Sequence, residues 1–383
     1  MNLTSKDFSE DFPSSGKIYL NNASVSLMPL QSIEAMRDFL ISYNLMGPDS
    51  IDSESFVTEK LRNVRKVIAK IINCQPEEVI LTQSTTDGIN IVANGLSFEQ
   101  NSNLIIRGFS HEHHANFYPW FRLQNKTKIK NLSIDKNGFF NFDEFKTLLD
   151  NNTKLVSVSH ALYNTGSILP VEKIGNMLEN HTLFFIDSAQ TIGCIGNFDV
   201  AKIKCDFMSF NGSKWLCGPM GTGLFYCSKK SHELLEPMTI GGESAMIYDN
   251  TNLAFKDIPD KFQTGFRNYV GMVGLESSVN YLLKFGIENI RTKNLYLSNL
   301  LREELSKIKN IILYGPEIPE ERTSIVSFNI EGYDPQMIVE KLEKQNIVLA
   351  VREILEQKII RASPHFFNTE SEILRVINAI KNL

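Results

Sequence analysis

The sequence is poor in the features that mark several protein classes. Its five cysteines, Cys74, Cys194, Cys205, Cys217 and Cys227, are odd in number, irregularly spaced and never arranged as Cys-x-x-Cys. That pattern indicates neither a disulfide framework nor a zinc site, so no metal is expected. It suits a reducing compartment, and a cytoplasmic location is expected. No apolar run approaches the length that crosses a bilayer, so no membrane association is expected. Lysine and arginine form no cluster and the net charge is −5, against the basic face that a nucleic-acid partner needs. The start of the chain, with Asp7, Glu10 and Asp11 and no apolar stretch behind a basic segment, reads as neither a signal nor a transit peptide. Repeats, low-complexity tracts and flexible linkers are absent as well.

What remains is a soluble globular composition, 42% hydrophobic, 22% charged and 10% aromatic over 383 residues, enough for a large domain and a smaller one. From residue 75 to about 230, short apolar runs alternate with helical patterns. Segments 79–82, 104–107, 155–160, 183–187, 206–210 and 223–227 read as strands. Stretches near 87–97, 141–150 and 171–180 read as helices, with the 3.6-residue period visible in Phe142, Phe145, Leu148 and Leu149. The alternation predicts an α/β domain with a mostly parallel, helix-covered sheet. After Gly265 a long helical stretch, roughly 271–309 with a break around Gly286, precedes strands at 311–314, 325–330, 348–352 and 359–361. Asp334 before Pro335 predicts a helix N-cap, and Thr369 with Glu372 a capping box. A large domain over 15–260 is expected, with a smaller α+β domain formed by 1–14 and 261–383.

Five segments carry chemistry. Gln83-Ser84-Thr85-Thr86-Asp87-Gly88 is a hydroxyl-rich turn between a strand and a helix, where backbone N–H groups and the hydroxyls of Ser84, Thr85 and Thr86 can hold a phosphate. Ordinary N-capping uses the same residue types. Glu112-His113-His114-Ala115-Asn116 follows the next strand and can lay the His113 imidazole over a flat ring, although paired histidines also occur as surface residues. Asp187 ends the apolar run Leu183-Phe184-Phe185-Ile186, so its buried carboxylate needs a cationic partner. Lys214 stands at the next strand's exit, in Asn211-Gly212-Ser213-Lys214-Trp215-Leu216. Arg361, after Ile359-Ile360, can fork onto a carboxylate or close a structural salt bridge. A lysine and a carboxylate at neighbouring strand ends suit pyridoxal 5′-phosphate. The amine holds the aldehyde as a Schiff base, and the carboxylate keeps the ring nitrogen charged and electron-withdrawing. Gln190, three residues past Asp187, can hydrogen-bond the ring hydroxyl.

Together these segments resemble the class V aminotransferase family of fold-type I pyridoxal-phosphate enzymes, which contains cysteine desulfurases, selenocysteine lyases and isopenicillin N epimerase-like proteins. The resemblance runs from Tyr19-Leu20-Asn21-Asn22-Ala23 to Arg361-Ala362-Ser363-Pro364-His365-Phe366-Phe367-Asn368-Thr369. It implies Lys214 as the Schiff-base lysine, Asp187 and Gln190 holding the ring, and His113 stacked on it. Ser84, Thr85 and Thr86 become the phosphate turn, with Asn211 and Ser213 also at the cofactor. Arg361 becomes the substrate-carboxylate arginine, with Asn22, Ala23, Tyr163, Asn164 and Arg352 on the substrate side. Members are usually homodimers in which a turn reaches the neighbour's phosphate. Gly265-Phe266-Arg267-Asn268-Tyr269 occupies that place, which assigns Arg267 and Tyr269 to the partner's cofactor.

Departures from the desulfurase pattern bear on the reaction. In desulfurases an arginine comparable to Arg352 leads into a mobile loop carrying the cysteine that receives sulfur. Here the residues from Glu353 to Ile360 are all that separate Arg352 from Arg361, and none is cysteine. The histidine that desulfurases carry before the lysine is Ser213, their serine two places earlier is Asn211, and the substrate-side asparagine is replaced by Tyr163, with Asn164 shifted by one. Cys217, three residues after Lys214, reads as a packing residue. The resemblance therefore implies a homodimeric enzyme acting on a small amino acid, a desulfurase-like carbon–sulfur lyase without the persulfide loop. An aminotransferase or epimerase uses the same residues, and a non-catalytic cofactor-binding homologue would not need Arg361. Gly218-Pro219-Met220-Gly221-Thr222-Gly223 precedes a strand where a nucleotide-binding oxidoreductase requires a helix.

Overall fold

The computed structural model describes all residues except 1, 2, 4, 5, 109–111, 134, 197, 249 and 250. Strand β1 (Ile18–Tyr19) and helices α1 (Leu30–Met46) and α2 (Ile51–Ile72) come first; the strand–helix alternation from residue 75 does not foresee these helices. The alternation itself follows as β2 (Val79–Thr82), α3 (Thr85–Gly95), β3 (Asn103–Arg107), α4 (His114–Phe121), β4 (Lys128–Leu132), α5 (Phe142–Leu148), β5 (Thr153–Ser159), α6 (Val171–Met177), β6 (Leu183–Asp187), α7 (Val200–Ile203), β7 (Phe207–Asn211) and β8 (Gly223–Cys227). The six strands expected in this stretch lie within two residues of β2, β3, β5, β6, β7 and β8. Strand β4 is not among those expected: Lys128, Lys130 and Asn131 give it no apolar run, as suits an edge strand that must not recruit another chain.

The seven-stranded sheet has the order β2-β8-β7-β6-β5-β3-β4. All pairs are parallel except those of β8 with β7 and β2. Val156, Val158, Phe184 and Ile186 pack on one face of this sheet, and Leu155, Phe185 and Phe207 on the other. Burial on both faces explains why the central strands read as continuous apolar runs. Ser159, Asp187 and Asn211 stand at the C-terminal ends of three adjacent strands, the end where open α/β sheets bind ligands.

A small hairpin, β9 (Ala245–Ile247) and β10 (Leu253–Phe255), leads to α8 (Tyr269–Phe285) and α9 (Ile287–Ser306). The chain then forms β11 (Ile311–Tyr314), β12 (Val326–Ile330), α10 (Pro335–Glu343), β13 (Ile347–Val348), β14 (Ala350–Ile354), β15 (Gln357–Ala362) and α11 (Glu370–Lys381). The antiparallel sheet β11-β12-β15-β14 packs with α9, α10 and α11 around a second core. Asp334 caps α10 ahead of Pro335, and Thr369 and Glu372 form the capping box of α11.

Packing divides the chain differently from a cut at residue 261. Helix α8 buries Met272, Leu275, Val279 and Leu282 in the large sheet's core beside α2, together with Phe8 and Phe12 of the N-terminal segment. Strand β1 pairs in parallel with β13 and so belongs to the small sheet's layer. Residues 1, 2, 4 and 5 of the expected N-terminal segment lie outside the described residues.

Candidate active site

A cavity of about 140 Å³ opens at the C-terminal ends of β5, β6 and β7. Ser84, Thr85, Thr86, His113, Tyr163, Asp187, Gln190, Asn211 and Lys214 all line it, so the structure gathers nine expected site residues in one place. Ser84 is the N-cap of α3 and accepts the Asp87 N–H at 3.2 Å. The helix therefore starts two residues before the sequence pattern suggests, and its first turn faces the cavity. Strand β8 approaches this turn so closely that a Cβ on Gly223 would stand 2.2 Å from the Ser84 nitrogen, and one on Gly88 would stand 2.3 Å from Ser209 Oγ. Only glycine fits either contact.

The charged groups are held by burial. Asp187 is buried and accepts the Ala189 N–H at 2.9 Å. Desolvation raises its carboxyl above the ordinary range, while that hydrogen bond and the Lys214 charge oppose the rise. Desolvation also brings the Lys214 amine down to about 8, against the pull of Asp187, with Arg361 and Arg352 adding to the fall. His113 caps α4, accepting the Ala115 N–H at 3.2 Å, and meets Tyr163 edge-on with centroids 5.1 Å apart. The residue as a whole is exposed, yet desolvation and the nearby Lys214, His114, Arg352 and Arg361 charges lower its imidazole to about 4. The imidazole is neutral at neutral pH.

Gln190 is oriented by its neighbours: its Nε2 donates to the Ala23 carbonyl at 2.9 Å and its Oε1 accepts from Trp215 Nε1 at 2.9 Å. One amide N–H is left for the cavity. Asn22 and Asn164 are fully buried and face other partners. Asn22 bonds Ser363 and Ser26, whereas Asn164 donates to the Glu353 carbonyl and braces β14. Ser213 is buried behind Lys214 and its carbonyl accepts the Ser26 N–H. Tyr163, not Asn164, faces the cavity.

Arg361 is 1% exposed. Its Nη1 donates to the Tyr163 carbonyl at 2.7 Å, and its Nη2 to Ser24 Oγ at 2.6 Å and Asn21 Oδ1 at 3.2 Å. Arg352 Nη2 donates to the same Ser24 oxygen at 2.5 Å. Among the described residues neither guanidinium has a carboxylate within salt-bridge distance, and Arg361 Nε has no hydrogen-bond partner. Desolvation and the adjacent Arg352 charge hold Arg361 well below its ordinary value. Two guanidinium groups gathered on one hydroxyl, without an internal counter-ion, form a receptor for an anion. Ser24 and Asn21 were not foreseen as site residues; their only sequence signal is adjacency to Asn22-Ala23.

Between the arginines the chain makes a two-residue hairpin. Ile354 pairs with Gln357, Arg352 with Ile359, and the turn residues Leu355 and Glu356 both have positive φ, 48° and 68°. Cys217 is fully buried and desolvation pushes its thiol up to about 12. Arg267 and Tyr269 stay outside the Lys214 cavity, on a separate surface cavity with Arg65 and Glu243.

A family model for Aminotransferase class-V matches residues 18–376. The chain belongs to that family. A probable cysteine desulfurase of Methanothermobacter thermautotrophicus is 31% identical to it over 372 residues, covering 93% of this chain and 92% of the relative. The apo cysteine desulfurase of Thermococcus onnurineus NA1 superposes with a TM-score of 0.90 at 26% identity, covering 98% of this chain and 96% of that one. The complex of the cystine C–S lyase C-DES with its reaction product cysteine persulfide shares the fold, with a TM-score of 0.88 at 22% identity over 96% of this chain and 98% of the other. Like its relatives, this class-V member is a pyridoxal-phosphate enzyme. Its cavity suits that cofactor: among the described residues Thr85 Oγ1 and Asn211 Oδ1 are buried there without hydrogen-bond partners, beside a capped helix start and a buried carboxylate. Among the described residues, no helix is long and apolar enough to cross a membrane.

Proposed function

We propose that this enzyme is a desulfurase-like carbon–sulfur lyase, acting on a small amino acid without an enzyme-bound persulfide. The observation that carries this reading is the closed hairpin between Arg352 and Arg361, where a two-residue turn without cysteine leaves no loop to bring a thiol to the cavity. Cys217, though near Lys214 in sequence, is buried and strongly protonated.

The cofactor supplies an electron sink for charge developing at the substrate α-carbon. The chain's residues do the rest. Arg361 and Arg352 take the substrate carboxylate, exchanging the Ser24 oxygen for carboxylate oxygens. Lys214, with its amine near 8, is poised to accept and return a proton at the α-carbon around neutral pH. Asp187 would hold the ring nitrogen, since a buried carboxylate needs the cation that a protonated ring provides. Neutral His113 would stack on the ring, and Ser84, Thr85 and Thr86 would hold the phosphate at the start of α3. As the α-proton is removed its electrons form a Cα=Cβ bond and the carbon–sulfur bond breaks with its electrons on sulfur, which leaves as sulfide from a thiol substrate or as a small persulfide from a disulfide one.

Arg267, ion-paired with Glu243 at 2.7 Å, and Tyr269 line a separate surface cavity from Lys214, which supports a homodimer in which they approach the partner's phosphate. Five free cysteines support a reducing, cytoplasmic setting. Product analysis with cysteine, cystine and common amino acids plus a keto acid tests the reaction. Sulfide or persulfide release that survives replacement of all five cysteines is expected. Transfer of the amino group to the keto acid, or inversion at the α-carbon, would replace this reading by an aminotransferase or an epimerase.

A further inference from the structure

Glu112 precedes His113, is 1% exposed and has no part in the proposed chemistry. Its carboxylate accepts hydrogen bonds from the His113 N–H at 3.1 Å, from the Ser159 N–H at 3.1 Å and from the Ser159 hydroxyl. Ser159 ends β5, lines the cavity and is the register partner of Asp187 on β6. One buried carboxylate thus ties the start of α4, where His113 is the N-cap, to the strand end beside Asp187.

The surrounding charges explain its state. Desolvation, then the Asp187 charge, raises Glu112 to about 7, against the Ser159 hydrogen bonds and the charge of Arg107. Arg107, at the end of β3, is 1% exposed, and among the described residues its three guanidinium nitrogens have no hydrogen-bond partner; its charge opposes the rise of Glu112. The Glu112 charge is also felt by Tyr163, and the Lys214 charge by Asp187. Two buried carboxyls, Glu112 and Asp187, thus sit between the cations Arg107 and Lys214 and repel each other.

We propose that Glu112 is a positioning residue for the cofactor: it holds His113 over the ring and, by its charge beside Asp187, sets the proton affinity of the groups around the ring. This rests on the reading that Asp187 and His113 face the ring.

The test is a pH titration of the visible absorbance and circular dichroism of cofactor bound to the wild type, Glu112→Gln, Glu112→Asp and Asp187→Asn. Without the Glu112 charge, cationic protonated forms around the ring are less favoured. Glu112→Gln should lower the midpoint by about one pH unit, a tenfold change in proton affinity, and weaken the dichroic band as His113 loosens. Glu112→Asp, which keeps the charge, should restore most of the midpoint. If Asp187→Asn moves the midpoint while Glu112→Gln moves neither signal, the proposal for Glu112 fails and the reading of Asp187 stands. If neither variant moves the midpoint, both fail. Should Glu112→Gln not fold, Ser159→Ala removes the hydroxyl donor to the same carboxylate while keeping the backbone N–H, and a smaller downward shift is expected; no shift there also overturns the proposal.

Discussion

Lys214 combines two properties that seldom coincide: its amine is brought close to neutrality by burial, yet it faces an open cavity. Depressed from 10.5 to about 8, the amine loses its proton as the pH rises through 8. In the apoenzyme, the rate of cofactor attachment should therefore rise through pH 8, where an ordinary lysine would respond near 10.5. Lys214→Ala should fold and lose covalent attachment; borohydride reduction and peptide mapping that label another lysine would refute the assignment. Arg361 works through geometry as well as charge. A lysine in its place keeps the charge but cannot both fork onto a carboxylate and hold the Tyr163 carbonyl. Arg361→Ala should lower kcat/KM by about 2–5 kcal/mol and Arg361→Lys by a lesser but clear amount, as expected for truncating one partner of a desolvated ion pair. Unchanged specificity for carboxylated substrates would leave Arg361 with a structural role alone.

At the scale of elements, the proposed route rests on the hairpin β14–β15, whose two-residue turn carries no cysteine. Its register places Arg361 on the central strand and Arg352 on the edge strand, and both meet Ser24 from the segment after β1. Cysteine-free enzyme should keep its turnover with a thio-amino acid substrate, measured as sulfide or persulfide release; a persulfide trapped on Cys217, with activity lost in Cys217→Ala, would sink the proposed route. The sequence makes one part of this arrangement readable and hides another. Asp187 and Lys214 are legible because each follows a short apolar strand at a position where a buried charge demands a reason. Ser24 is not, since it reaches Arg361 across 337 residues and nothing local marks it. Glu112 is hidden differently, its partner Ser159 lying on another strand, 47 residues on. Edge strand β4 escapes notice because Lys128, Lys130 and Asn131 remove the apolar run that reveals the central strands.

The whole molecule leaves a second kind of chemistry on its surface. Helix α1 buries Phe39 but exposes Ile33, Leu40, Ile41 and Leu45, the last at 80%, and Ile51 at the start of α2 is 83% exposed. Met246, Ile247 and Leu253 of the β9–β10 hairpin and Phe266 of the following turn are exposed as well. So many large apolar side chains exposed on one chain call for a covering surface, and the last group adjoins Arg267. An isologous dimer would cover such patches in both copies at once, with each Arg267–Tyr269 turn delivered to the other's cavity. Sedimentation should give a dimer, and Ile41→Glu with Leu45→Glu, which place charges on the exposed face of α1 without touching its buried side, should shift it toward monomer. If the interface completes the site, those variants should also hold the cofactor more weakly at low protein concentration and recover it as concentration rises. A wild-type chain that sediments as a monomer with full activity would leave the exposed face without this partner and return Arg267 and Tyr269 to the surface of their own subunit.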